Sequence, residues 1–220
     1  MKTHLHRIAA ATLIAGCAVA AHADNVMFTG YANGSAPIDF TITTTPLPIT
    51  DSTGAGGFAT SVNGGPSFTT FCVDLYQHLG FGLPGYSGYT EVAGDVYAFT
   101  NPNGDTDLGK LFTAYGSVST MDATHSAAFQ TAVWEIAYET AGSYDLASGN
   151  AQFSGDAAAT ALAAIWLGNL GTLDAVDLHV LYSRENQDVI FSTPVPEPGT
   201  YALMAAGLAV MGFIGRRRRA

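Results

Sequence analysis

Cys72, in the stretch Phe71-Cys72-Val73-Asp74-Leu75, has the most reactive side chain in the middle of this sequence. The only other cysteine, Cys17, lies in an apolar leader. A thiolate is a strong nucleophile, and cysteines in an oxidising compartment usually occur in pairs. An unpaired one points to an intermolecular disulfide, a buried inert thiol or a reactive thiol. A cysteine hydrolase would pair Cys72 with a base such as His125 or His179, but no local signature surrounds any of the three. Such enzymes often hold the cysteine at a helix N-terminus, which favours the thiolate, whereas Cys72 reads as a strand residue.

Other chemistries find little support. There is no G-x-S-x-G nucleophile turn and no G-x-x-x-x-G-K-[ST] phosphate loop. His78, His125 and His179 are isolated from one another, so no metal site and no cofactor is expected. Asp105-Thr106-Asp107 after Gly104 lacks the closing acid of a calcium loop and reads as a turn and helix cap. Of the eight Lys and Arg, only Lys110 and Arg184 lie between Asp24 and Glu197, a span that holds all 18 Asp and Glu, for a formal balance of −16. That charge argues against nucleic acid or anionic lipid as a partner.

The elements that must position Cys72 follow from periodicity. From Asn25 to about Phe99 the chain reads as β-structure: Ile38, Phe40 and Ile42 alternate with Asp39, Thr41 and Thr43. Asn33-Gly34 and Asn63-Gly64 are hairpin-type turns, and Gly54 to Gly57 a loop or bulge. Phe68 to Tyr76 is a strand with Phe71, Val73 and Leu75 on one face and Thr70, Cys72 and Asp74 on the other, so another element must cover Cys72. The period then turns helical. One helix follows Asp105-Thr106-Asp107 and ends at Gly116; a second, capped by Asp122 or Thr124, runs to about Thr140. A third spans Asp156 to Leu170, and strands return at Val176 to Tyr182 and Gln187 to Phe191. The order gives an α+β class: a β-rich N-terminal part, sandwich or barrel-like, a helical middle and closing C-terminal strands.

The two ends carry processing signals. Lys2 and Arg7 precede an apolar run and the small-x-small site Ala21-His22-Ala23, a signal peptide over residues 1–23. A second reading takes Ile14-Ala15-Gly16-Cys17 as a lipobox, with Cys17 the lipidated N-terminus. At the other end Val195-Pro196-Glu197-Pro198 leads into an apolar segment over about 201–215 and then Arg216, Arg217, Arg218 and Arg219. That segment is at or below the length of about 20 residues a spanning helix needs, and the arginines would hold its end in the cytoplasm. Residues 24–193 between the signals form one ectodomain, large enough for its own core.

In residues 194–220 the Pro196-Glu197-Pro198 motif, short span and arginine cluster resemble the PEP-CTERM sorting signal of Gram-negative bacteria. The resemblance implies recognition by an exosortase, transient residence in the inner membrane, removal of the tail and release to the cell surface or extracellular matrix. In the ectodomain, Phe71-Cys72-Val73-Asp74, a following helix and then Gln130-x-Ala132-Val133-Trp134 resemble the thioester domains of surface adhesins, over roughly residues 68–192. That resemblance implies an internal thioester between Cys72 and Gln130, supported by Phe71, Asp74 and Trp134. It would be opened by an amine or hydroxyl of an unknown surface or matrix partner, in a protein that reacts once and is not an enzyme. The alternative is a non-covalent structural or glycan-binding matrix protein with a buried, unreactive Cys72; a cysteine hydrolase is the remaining reading.

Overall fold

The computed structural model describes residues 24–192, apart from Leu83 and Ala141. The signal-peptide and lipobox readings, the sorting tail and its apolar segment at 201–215 lie outside the described residues. Among those described, no helix is long and apolar enough to cross a membrane.

The fold is mixed, with a β-rich N-terminal part, three helices in the middle and strands at the C-terminal side. The strands are β1 (Asp24–Tyr31), β2 (Ala36–Ile42), β3 (Ile49–Ala55), β4 (Phe58–Val62), β5 (Phe68–Cys72), β6 (Tyr86–Ala93), β7 (Ala151–Gly155), β8 (Leu178–Tyr182) and β9 (Val189–Ser192). The helices are α1 (Gly104–Tyr115), α2 (Ala123–Tyr138) and α3 (Ala157–Gly168). Six strands close a barrel in the order β1-β4-β5-β9-β8-β6, and a separate sheet has the order β3-β2-β7. All pairings are antiparallel.

Local chemistry explains several boundaries. The β2 alternation holds: Ile38, Phe40 and Ile42 are buried while Asp39 faces solvent. Asp122 caps α2 by accepting from the His125 N–H at 2.9 Å, and Asp156 caps α3 by accepting from Ala159 at 2.9 Å. Asn63 and Gly64 both adopt positive φ, 53° and 73°, and join β4 to β5 as a hairpin turn. Asn33-Gly34 does not make a hairpin, because β1 and β2 belong to different sheets; it turns the chain from barrel to small sheet.

Two further expectations are corrected, and one strand is additional to those expected. Asp105 and Asp107 do not cap α1: the helix begins at Gly104 and both carboxylates lie in its first turn, favourably placed at the positive end of the helix dipole. The strand expected over 68–76 stops at Cys72, and the chain leaves the sheet at Val73. A strand not anticipated, β7, lies between α2 and α3 and pairs with β2 from Ile42↔Ala151 to Ile38↔Gly155.

Every residue of α2 from Ser126 to Tyr138 is buried. The helix packs against α1, α3, strand β5 of the barrel, and β2, β3 and β7 of the small sheet. A helix enclosed on all sides needs apolar residues all round, and any polar residue on it must find a partner. That requirement shapes the site.

Candidate functional site

Cys72 is the last residue of β5. On one edge, β5 pairs with β9 through Phe71↔Ile190 and Cys72↔Val189, and the Val73 N–H extends this edge by donating to Asp188 O at 3.0 Å. On the other edge β4 begins only at Phe58, opposite Thr70, so the Cys72 N–H and C=O have no strand partner there. A buried peptide group left in that state costs about 1–3 kcal/mol.

Gln130 supplies the partner. Its Oε1 accepts from the Cys72 N–H at 2.8 Å and its Nε2 donates to the Cys72 carbonyl at 2.8 Å. The carboxamide thus stands in for the peptide of a missing strand, and both residues are fully buried. Two further residues of α2, each a multiple of four from Gln130, stitch neighbouring backbone in the same way. Ser126 Oγ accepts from the Gly57 N–H at 2.9 Å, and Tyr138 Oη accepts from the Leu75 N–H at 2.9 Å. Residues 126, 130, 134 and 138 form one stripe along the helix. Trp134, the fourth member, stacks on Phe153 with ring centroids 6.1 Å apart.

The thiol itself donates to the Asp74 carbonyl at 3.1 Å. Burial pushes the Cys72 pKa far up; the Trp134 indole on the sulfur's side partly offsets that rise, and the charges of Asp74 and Asp188 add to it. The Trp134 Nε1–H nonetheless makes no hydrogen bond of ordinary geometry. Burial and the contact with the Asp74 carbonyl thus both favour the protonated form of a free thiol here.

The other expected residues fall as follows. Phe71 points away from Cys72 into the helices, where its ring meets Phe129 at 4.5 Å and Phe112 at 6.0 Å. Both Phe71 and Cys72 are buried, and helix α2 meets each of them, through Phe129 at the Phe71 ring and through Trp134 on the sulfur's side. Asp74 acts through its main chain: its carbonyl takes the thiol, while its carboxylate turns back to the Tyr76 N–H at 2.8 Å. Burial raises the Asp74 pKa. The candidate bases are engaged elsewhere, His125 with Asp122 at 2.8 Å and His179 with Glu91 at 2.7 Å. Among the described residues no group of three metal-binding side chains occurs.

Gln187 and Asp188, expected at the start of a strand over 187–191, lie just before β9, which begins only at Val189. Gln187 donates through Nε2 to the carbonyls of Asp74 and Gln77, both at 3.0 Å. Asp188 accepts from Tyr97 Oη at 2.8 Å and from the Ser183 N–H at 2.7 Å, and burial raises its pKa to about 6. Isolated polar residues in loops have no period to betray them.

Comparison with known proteins places one part of the chain. Residues 194–219 match the PEP-CTERM protein-sorting motif. No curated protein and no solved structure matches the chain. The motif makes this an exported protein addressed to an exosortase, anchored transiently in the membrane through its C-terminal segment. The arginines and the Pro196-Glu197-Pro198 triplet fall within it.

Proposed function

We propose that the exported domain joins Cys72 to Gln130 as an internal thioester and uses it once to attach covalently to a surface or matrix partner. The observation that carries this reading is the clamp: the Gln130 carboxamide is fixed by two 2.8 Å bonds on the very residue that bears the thiol. An amide is a poor electrophile, and holding it against a thiol replaces a bimolecular encounter by an intramolecular one, worth effective molarities of about 10⁵–10⁸ M in well-oriented cases.

The chemistry balances without a co-reactant. Sγ adds to the Gln130 side-chain carbonyl carbon, the C–N bond breaks, and the thiol proton leaves with ammonia. The Cys72 N–H already donates to the oxygen on which negative charge develops. No free thiolate is required at equilibrium, which accords with the upward displacement of the thiol's pKa. The finished thioester is an acylating group, attacked by an amine or hydroxyl with release of the Cys72 thiol. Burial of Trp134 and its neighbours excludes water that would hydrolyse it.

A second reading is favoured by one observation: the same clamp satisfies the open edge of β5, and the thiol is turned onto Asp74 O. On that reading Cys72 is an inert core residue and the protein is a non-covalent structural or glycan-binding matrix component. Intact mass decides. A thioester lowers the mass by one ammonia, and methylamine restores it with the added amine; an unshifted mass ends the first reading. Cys72→Ala should likewise abolish denaturant-resistant attachment to partner material, and attachment that survives the substitution excludes the thioester.

A further inference from the structure

A small cavity of about 60 Å³ lies against the site, its wall formed in part by Trp134, Leu75, Gln77 and Gln187. Gln187 connects it to the sulfur, because the Asp74 carbonyl that accepts from Gln187 Nε2 also accepts from the Cys72 thiol. Two buried polar atoms of lining residues, the donor Trp134 Nε1 and the acceptor Gln77 Oε1, have no hydrogen-bond partner among the described residues. Trp134 is almost wholly enclosed, at 2 % exposure. Buried polar atoms are seldom left unpaired without a functional reason. The Trp134 indole lies on the sulfur's side, so the acceptor left for an occupant is Gln77 Oε1, and the occupant would carry a donor on a small group. A water fits in about 10–15 Å³ of such space, and a terminal amine or hydroxyl is of similar size.

We propose that this cavity is the port through which the nucleophile reaches the Cys72–Gln130 thioester, with Gln77 Oε1 accepting from the attacking group and the Trp134 N–H donating to the departing sulfur. The inference rests on the thioester reading above. In the step itself the nucleophile's nitrogen or oxygen bonds to the Gln130 carbonyl carbon, the C–S bond breaks, and the proton lost by the nucleophile ends on Cys72 Sγ. Charge accumulates on sulfur as that bond lengthens, in surroundings that otherwise disfavour it, and an indole N–H with no competing partner is preorganised to meet it. The dimensions of the port restrict attack to unbranched terminal groups.

The test follows opening of the exported protein by intact mass, with methylamine and with tert-butylamine as probes. Trp134→Phe keeps the ring and removes the donor; it should retain the ammonia-deficient mass yet open with methylamine about tenfold or more slowly. Gln77→Ala widens the port and should raise the rate with tert-butylamine relative to methylamine by about tenfold. A Trp134→Phe protein that opens at the unaltered rate, or a Gln77→Ala protein with unchanged amine preference, overturns the port. An unsubstituted protein with no ammonia deficit removes the thioester reading instead, and the port with it.

Discussion

The carboxamide of Gln130 grips Cys72 through both of its main-chain polar groups, each at 2.8 Å, so a helix side chain completes the hydrogen bonding of a strand terminus. Truncating it has a stability consequence separate from any bond to sulfur. Gln130→Ala leaves a buried N–H and a buried C=O unpaired and opens a void, and should cost about 2–5 kcal/mol by urea unfolding. Gln130→Glu keeps the acceptor but sets a carboxylate against the Cys72 carbonyl; protonation restores the donor, so its deficit should shrink as pH falls. A deficit independent of pH would contradict the clamp.

The flanking members of the α2 stripe make the same kind of claim at smaller scale. Tyr138→Phe orphans the Leu75 N–H and Ser126→Ala the Gly57 N–H. Each should cost about 1–3 kcal/mol in equilibrium unfolding. Values near zero would mean that these bonds do not hold α2 to the neighbouring backbone.

Because Cys72 has no exposed surface, a thiol reagent added to the native protein should leave it unlabelled whether or not it is joined to Gln130. Labelling after rapid unfolding separates the cases: a free thiol takes one equivalent and a sulfur in a thioester takes none. Fast labelling of the native protein would contradict the burial itself.

Glu135 is fully buried on α2, accepts from the Asp145 N–H through one oxygen at 2.9 Å and has no hydrogen-bond partner for the other among the described residues. Burial, reinforced by Glu139 and Asp145, raises its pKa from the ordinary 4.5 to about 8. The folded protein therefore holds this proton more tightly than the unfolded chain does. The stability this provides is fully present below about pH 4.5 and is lost as pH rises toward 8. Glu135→Gln should flatten the decline by an amount on the order of a few kcal/mol, measured by denaturant midpoints across that range. A decline that persists unchanged in the variant would assign it to other groups.

For the sorting signal, deletion of Arg216 to Arg219 should leave the precursor unprocessed and cell-associated, as read by the mass of the released protein. Unchanged release would contradict the role of the arginine cluster.

Much of this architecture was legible from neighbouring residues alone. The alternation of Ile38, Phe40 and Ile42 and the cap at Asp122, one of the two candidates, depend on local geometry and appear where their patterns placed them, and the third helix starts at its expected end, with Asp156 as its cap. The motif resemblance singled out Cys72 and Gln130, and the two do lie together. What escaped notice is non-local. Nothing in Ala151–Gly155 announces a strand, because its stability comes from pairing with β2 across more than a hundred residues of chain. The roles of Gln77, Gln187 and Asp188 arise only through contacts that folding brings about, and a polar residue in a loop looks the same whether it faces solvent or a buried carbonyl.

In the barrel, β5 is bordered on one side by β9, the last strand among the described residues. A polypeptide threaded across a membrane from its N-terminus delivers that border after the other eight described strands. Until it arrives, Phe71 and Val73 have a bare flank, and the surroundings of the sulfur remain unsealed. Closure of the Cys72 pocket is thereby deferred until translocation has carried the chain past β9.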